Sequence, residues 1–208
     1  MKKLFLASSF EDVADLLPDF EKNLKGKTIT FIPTASIVET VNFYVKSGRK
    51  ALEDMGLIVD ELEISTASAE EITTKIKQND YIYVTGGNTF FLLQEMKRTG
   101  TDKLIKEEVH SGKLYIGESA GAMVTSPNIE YAKGMDSANE APEIDSYEGL
   151  CLVDFYPIPH YTNPPFKKAA KGIVDAYSST LKLSPISNHE AILVNHEEVK
   201  VKTSKLPS

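Results

Sequence analysis

Short apolar runs alternate with segments of helical periodicity along this chain, and that alternation limits its fold more than any other feature. The predicted strands are five β-prone runs: Leu4–Ser8, Thr28–Pro33, Val59–Ile64, Tyr81–Thr85 and Leu114–Gly117. Most of them are apolar throughout, which is typical of strands buried on both faces. The sequence therefore predicts an α/β fold, with a mostly parallel central sheet and helices on both faces.

Helix signals lie between and after these strands. Three predicted helix starts share a polar capping residue: the Ser36–Glu39 capping box, the Ser68–Glu71 capping box and Asn88. A later helix is expected near Phe166–Tyr177, followed by a C-terminal β-hairpin of Ala191–Val194 and Val199–Thr203. With no repeat and no linker, residues 1–208 are expected to form a single domain.

Composition excludes several classes of function. The net charge is −7 with no basic block, so nucleic acid is not an expected partner. No apolar run reaches the ~20 residues that a membrane span needs. Cys151 is the only cysteine, which rules out a disulfide within the chain and favours a cytoplasmic location. Four scattered histidines lack metal-ligand spacing, so neither a metal nor another cofactor is expected, and the oligomeric state is left open.

The fifth predicted strand ends in Gly117-Glu118-Ser119-Ala120-Gly121. A nucleophile on a sharp strand-to-helix turn, the nucleophile elbow, needs small residues two positions to either side, because strand and helix backbones approach closely there. Gly-x-Ser-x-Gly supplies that spacing, so Ser119 is the candidate nucleophile. An idle serine in a tight turn is the alternative.

A second glycine-rich turn follows the fourth predicted strand, at Gly86-Gly87-Asn88. In a parallel sheet, this turn and the Ser119 turn open at the same edge, where ligands bind. We therefore predict that Gly87 and Ala120 donate backbone N–H groups to an oxyanion, and that Gly86 and Asn88 line the substrate site.

A serine nucleophile requires a base, and His160 is the best placed of the four histidines. It ends an apolar run containing Pro157 and Pro159, which stiffen the backbone that presents the imidazole. His189 is the rival, and a structural histidine in a loop is the alternative interpretation.

The assembled motifs resemble those of the peptidase E-like serine peptidases of family S51, whose fold is similar to that of class I glutamine amidotransferases. The matching segments are Tyr83–Phe90, Leu114–Ala122 and Pro159–Tyr161. The resemblance implies that Ser119 is the nucleophile and His160 the base, and it implies a glutamate near the C-terminal end as third triad member. Glu190 occupies that place and precedes a β-prone run. Asp136 is its competitor.

Two departures from the family pattern bear on the substrate. Glu118 stands where the aspartyl dipeptidases carry tryptophan, and as a hypothesis its carboxylate binds the free amine of a short peptide. The region after His160 has no arginine to bind a substrate aspartate, although Lys167 or Lys168 could substitute. We therefore expect a broader substrate range than an aspartyl dipeptidase has.

The leading hypothesis is a peptidase that hydrolyses short peptides through a Ser119–His160–Glu190 triad and an acyl-enzyme. An esterase or amidase with the same mechanism is one alternative. A ligand-binding protein on the same scaffold, with a disabled site, is another.

Overall fold

The fold is that of a computed structural model, which describes residues 2–205 of the chain. Its strands, in chain order, are β1 Lys3–Ala7, β2 Thr28–Ile32, β3 Ile58–Glu61, β4 Tyr81–Val84, β5 Leu114–Glu118, β6 Tyr156–Ile158, β7 Leu183–Pro185, β8 Glu190–Asn195 and β9 Glu198–Thr203. Seven of these form the central sheet, in the order β3-β2-β4-β5-β1-β8-β9, and β6 pairs with β7 in a small parallel sheet.

The central sheet is mostly parallel. Strands β1 to β5 run in one direction, and β8 runs antiparallel to both of its neighbours, β1 and β9. The predicted α/β fold with a C-terminal hairpin is therefore confirmed. The small β6–β7 sheet was not predicted, because strands of three residues are too short to show a periodic pattern.

The helices, in chain order, are α1 Leu17–Phe20, α2 Phe43–Asp54, α3 Ala69–Gln78, α4 Thr89–Thr99, α5 Thr101–His110, α6 Ala120–Met123 and α7 Lys167–Tyr177. No described helix is long and apolar enough to cross a membrane. The Ser68 cap is confirmed, since its hydroxyl accepts a hydrogen bond from the Glu71 N–H at 3.1 Å.

The predicted helix start at Ser36 is wrong. Thr34–Ser36 forms a short 3-10 helix, and α2 begins only at Phe43. The Ser36 hydroxyl donates backwards to the Pro33 carbonyl at 2.8 Å instead of capping the next turn. Serine side chains compete for nearby backbone groups in this way, which a sequence pattern alone does not resolve.

Side chains alternate between the two faces of the sheet, and each face is buried. On β1, Leu4 and Leu6 pack with α3, α4 and α5. Phe5 and Ala7 pack on the opposite face, where the 3-10 helix Glu11–Leu16, α1 and α2 lie. A third apolar cluster joins α4 to α7 and the small sheet. This cluster fixes the small sheet beside the carboxyl ends of the central strands.

The neighbouring strands β4 and β5 are paired in parallel, with Val84 opposite Gly117. The two glycine-rich turns that follow them are therefore side by side. Two more loops, which follow β6 and β7, lie at the same edge. They are joined to each other because the Ile186 N–H donates to the Ile158 carbonyl and the Tyr161 N–H donates to the Ile186 carbonyl. Four chain segments thus meet at one place.

Candidate active site

Ser119 follows β5 directly and precedes α6, and its backbone is strained. Its φ is 47° and its ψ is −105°, a conformation that non-glycine residues rarely adopt. Its N–H donates to the Ala7 carbonyl of β1 at 2.8 Å, and its own carbonyl accepts from the N–H groups of Ala122 and Met123. Strain of this kind persists only where the surroundings enforce it, and it concentrates at functional sites.

The flanking glycines leave room for the turn. A Cβ at Gly117 would overlap the carbonyl of Gly121, and a Cβ at Gly121 would overlap the carbonyl of Val84. Both glycines are therefore needed because α6 comes close to β4 and β5. This close approach is the reason that the Gly-x-Ser-x-Gly pattern has small residues at these positions.

The second turn lies against the first. A Cβ built on Gly86 would stand 3.2 Å from the Ser119 Cβ. Gly87 has a φ of +132°, and a Cβ there would overlap the Ala35 carbonyl, which accepts the Asn88 N–H at 2.8 Å. Within residues 2–205, the N–H groups of Gly87 and Ala120 donate to no carbonyl or side chain, as oxyanion donors in a ligand-free site should.

His160 reaches the Ser119 side chain. Its Nε2 lies 3.0 Å from the Ser119 Oγ, so the imidazole that contacts the serine belongs to His160 rather than to His189. His160 has a φ of 58°, and its N–H donates to the Ser8 hydroxyl at 3.0 Å. The Ser8 hydroxyl in turn donates to the Ile186 carbonyl at 3.2 Å. Ser8, at the end of β1, therefore connects the base to the central sheet.

The other ring nitrogen of His160 meets an amide. Its Nδ1 lies 2.7 Å from the Asn188 Oδ1, which can only accept, so Nδ1 carries the proton and Nε2 is free to accept from Ser119. Burial lowers the pKa of His160, with smaller opposing effects of the Asn188 bond and of the Asp12 charge. The imidazole is therefore neutral near pH 7, as a general base requires.

Glu190, predicted as the third triad member, does not meet the imidazole. Its Oε2 accepts from the Ser187 N–H at 2.8 Å, and its own N–H donates to the Ser187 carbonyl at 3.2 Å. These reciprocal bonds close a tight turn with Asn188 at its bend. The Glu190 carboxylate therefore stabilises the turn that carries Asn188, and Asn188 in turn contacts the His160 ring.

The competitor Asp136 is also elsewhere. It accepts from the Thr89 N–H at 2.9 Å and from the Thr89 hydroxyl at 2.5 Å, at the N-terminus of α4. Asn88 caps the same helix: its Oδ1 accepts from the N–H groups of Phe90 and Phe91, and its Nδ2 donates to the Ser137 carbonyl. Asn88 therefore caps α4 and links it to residue 137, and its predicted substrate contact stays a prediction.

Glu118 lies in the interior, with 3% of its surface exposed. Its carboxylate accepts from the Phe10 N–H at 2.9 Å, from the Tyr83 hydroxyl at 2.8 Å and from the Gly86 N–H. Burial raises its pKa to about 7, against the effect of these three bonds. Both oxygens are engaged away from solvent, so the predicted contact with a peptide amine is replaced by a role inside the protein: the carboxylate fixes the Gly86 turn.

Two of these residues could not be found by sequence reasoning alone. Asn188 stands in the segment from which His189 was considered as a rival base, and a turn-prone asparagine there was the available signal. Ser8 ends a predicted strand at the functional edge, a position that suggests a role but no particular contact. Among the described residues, no group of three or more His, Cys, Asp or Glu could hold a metal ion.

Comparison with known proteins shows the family. The model of peptidase family S51 matches residues 4–202, and the chain belongs to that family. It is 61% identical to an uncharacterized peptidase of Listeria monocytogenes over 97% of this chain and 98% of the relative. It is 32% identical to peptidase E of Haemophilus influenzae, covering 80% of this chain and 74% of that one.

Solved structures give the same result for the fold. A crystal structure from Listeria monocytogenes EGD-e, 60% identical, superimposes with a TM-score of 0.95 over 98% of both chains. The crystal structure of a peptidase from an acI-B1 actinobacterium, 26% identical, has a TM-score of 0.71 over 98% of this chain and 88% of that one. Family and relatives together identify the chain as a peptidase.

Proposed function

We propose that this peptidase is of the serine type and hydrolyses short peptides through an acyl-enzyme on Ser119. One observation carries the proposal: the hydroxyl of a strained serine lies 3.0 Å from the Nε2 of a partly buried histidine, beside backbone N–H groups without a partner among residues 2–205. Nucleophile, base and oxyanion donors are the three parts that acyl transfer to serine needs.

In the first step, the Ser119 Oγ attacks the carbonyl carbon of the peptide bond while its proton passes to the His160 Nε2. The π electrons of the carbonyl move to its oxygen, and the N–H groups of Gly87 and Ala120 donate to the resulting oxyanion. When the tetrahedral intermediate collapses, the C–N bond breaks and the imidazolium gives its proton to the departing amine. An ester now links Ser119 to the acyl part of the substrate.

In the second step, water attacks the ester and His160 again removes a proton. The C–Oγ bond breaks, Oγ recovers its proton from the imidazolium, and the carboxylic acid product leaves. The His160 Nδ1 donates to the Asn188 amide oxygen in both steps. Only the His160 Nε2 therefore gains and loses a proton. We therefore assign the third position to Asn188, and we assign Glu190 to the turn that holds Asn188.

The substrate range follows from what surrounds the base. Both arginines are engaged with carboxylates: Arg49 with Glu53 and Glu61, and Arg98 with Glu95. Lys167 and Lys168 are exposed in the first turn of α7. A substrate aspartate would find no arginine fork here, so we propose that the enzyme accepts neutral residues as well. On the single-cysteine argument, we place it in the cytoplasm.

A fluorophosphonate probe tests the proposal, because it modifies a serine only where that serine is activated. We expect one adduct on Ser119 in the folded protein, lost in Ser119→Ala and in His160→Ala. Ser178→Ala, which removes an exposed hydroxyl on the far end of α7, is the matched control and should be modified like the parent protein.

Two outcomes point to the alternatives. A folded protein without an adduct would favour a ligand-binding protein on this scaffold. An adduct combined with hydrolysis of esters, but of no member of a dipeptide library, would favour an esterase. The same library reports the substrate range, and cleavage of aspartyl dipeptides alone would contradict the broad range proposed.

A further inference from the structure

The Phe166 side chain contacts the base, and the steps above do not use it. The centroids of its ring and of the His160 imidazole are 5.0 Å apart, and the two ring planes are inclined by 31°. Two rings at this small angle that met edge to edge would have centroids farther apart, so the phenyl ring lies over a face of the imidazole, as in offset aromatic pairs. Ser119 and Asn188, by contrast, contact the two ring nitrogens.

Neither helix capping nor the core accounts for a phenylalanine at position 166. Phe166 is the N-cap residue of α7, where a side-chain oxygen would accept from the first N–H groups of the helix, and a phenyl ring cannot do so. Its side chain is not a core side chain either, since 37% of the residue surface is exposed. The contact with the His160 ring is therefore the interaction of Phe166 that bears on the site.

Asn163 holds the two rings in register. Its N–H donates to the His160 carbonyl at 3.1 Å, and its own carbonyl accepts at 2.8 Å from the N–H of Lys167, the residue after Phe166. Its side-chain Oδ1 accepts from the Asn188 N–H at 2.9 Å. A single residue thus joins the backbone on both sides of the ring pair to the turn that carries the amide bound to the imidazole.

The two hydrogen bonds of the imidazole leave one motion weakly opposed. Hydrogen bonds to the ring nitrogens lie close to the ring plane, so those to Ser119 and Asn188 resist movement of the ring within that plane. A ring that tilts out of the plane misaligns both bonds at once, and a hydrogen bond weakens steeply as its angle falls. A flat side chain packed on the face of the imidazole opposes this tilt, because the tilt would break its dispersion contacts.

We propose that Phe166 is a positioning residue for the reaction: its ring packs on the His160 imidazole and keeps Nε2 aligned with the Ser119 Oγ. This rests on the proposed function. The transfer of the Oγ proton to Nε2 requires that alignment, because a small displacement of the base slows the step. Phe166 acts through His160 and does not need to touch the substrate.

The rate at which a fluorophosphonate modifies Ser119 tests this without a peptide substrate. Phe166→Ala should lower the second-order rate constant about tenfold, which is the upper end for an aromatic pair expressed as a rate. Phe166→Tyr retains the ring and should be modified like the parent protein. Phe20→Ala is the matched control and should also be modified like the parent protein. It removes a partly buried phenylalanine that packs on Phe5, at the opposite edge of the sheet, where the Lys3 Nζ lies over its ring.

Nitrogen NMR of the imidazole is a second measurement, and it does not depend on catalysis. The shifts of the two ring nitrogens show which of them carries the proton, and the His160 signals are those lost in His160→Ala. We expect the proton on Nδ1 in the parent protein, in Phe166→Tyr and in Phe20→Ala. Phe166→Ala should show a mixture of the two tautomers, because a tilted ring donates poorly to Asn188.

Two results in Phe166→Ala would each overturn the assignment: an unchanged rate of modification and an unchanged tautomer. An effect confined to the KM of a peptide substrate would also overturn it, since Phe166 would then be a substrate contact. Failure of the proposed function is a separate result, namely no fluorophosphonate adduct on the parent protein. In that case the tautomer still decides whether Phe166 positions the ring.

Discussion

The two halves of the site are built in different ways. The nucleophile half lies at the ends of the adjacent strands β4 and β5, and it is defined by backbone: a strained serine, close glycines and N–H groups. The base half lies on loops after β6 and β7, and it is defined by side chains: the His160 ring, the Asn188 amide and the Ser8 hydroxyl.

This difference decides how each half responds to change. Backbone geometry at paired strand ends is enforced by many neighbours, so it fails only when something large is forced into it. The imidazole is held by the Asn188 amide and the His160 backbone by the Ser8 hydroxyl, so the position of the base depends on each of these two bonds, and small displacements weaken proton transfer. We therefore expect changes to the backbone of the nucleophile half to lower the free energy of unfolding. Changes to the side chains of the base half should lower kcat.

The largest loss of activity should follow from changing Ser119 or His160, the two residues through which the halves contact each other. Ser119→Ala, His160→Ala and the double variant should be about equally inactive, because either change disables the same step. In subtilisin, such losses are on the order of 10⁶ in kcat and are not additive. Rates of dipeptide hydrolysis, compared after a melting curve confirms folding, check this. A double variant much slower than either single one would mean that the two residues act in separate steps.

The next effect concerns stability in the nucleophile half. Because the pKa of Glu118 is raised from 4.5 to about 7, the folded state binds more protons than the unfolded state between those values. The free energy of unfolding should therefore fall as pH rises through this window, by about 3 kcal/mol at 1.36 kcal/mol per pKa unit. Urea unfolding at several pH values measures it.

Glu118→Gln removes the titrating group and should flatten this slope, although it lowers stability at low pH because its NH₂ replaces one oxygen that accepts a hydrogen bond in the parent protein. Glu70→Gln, which is exposed, should keep the slope of the parent protein. Asp136 also has a raised pKa, so some slope remains in Glu118→Gln. An unchanged slope in Glu118→Gln would show that the carboxylate is not the group that titrates.

In the base half, Asn188→Ala should reduce kcat on the order of 10²-fold with little change in melting temperature. The ring loses the acceptor that fixes its tautomer, and a misplacement of about 1 Å has an effect of this size. Asn188→Asp keeps an acceptor, and its charge should raise the pKa of His160 and move the acid limb of the pH–rate profile upward. A fully active Asn188→Ala would remove Asn188 from the mechanism.

The smallest effect should be that of Glu190→Gln, a few-fold in kcat. Its side-chain oxygen can still accept from the Ser187 N–H, so the turn that carries Asn188 persists, held by a weaker neutral bond. Steady-state kinetics beside Asn188→Ala check the ranking. A loss in Glu190→Gln that exceeds the loss in Asn188→Ala would restore the glutamate as the third triad member.

The sequence placed Ser119 and the two glycine-rich turns correctly at one edge of the sheet, because strand-end position and glycine spacing are local properties of the chain, and their catalytic roles stay predictions. It identified His160 from the stiff backbone around two prolines, and the resemblance supported that choice. It could not identify Asn188, since only tertiary contacts decide which of four consecutive side chains, 187–190, turns toward the ring. Glu118 was assigned to the substrate because a sequence pattern shows proximity to a site but not the direction of a side chain, and its carboxylate is buried.

The Ser8 hydroxyl has a consequence for the order in which the molecule assembles. It joins His160 and Ile186, at sequence separations of 152 and 178 residues, so the imidazole is held by contacts between the first strand and a late part of the chain. Contacts across such separations form late in folding, because loop closure must come first. A ribosome-bound chain that has emerged only as far as Ser119 carries the serine without its base. Under the proposed mechanism, we therefore expect hydrolysis to begin only when the last strands have folded against β1.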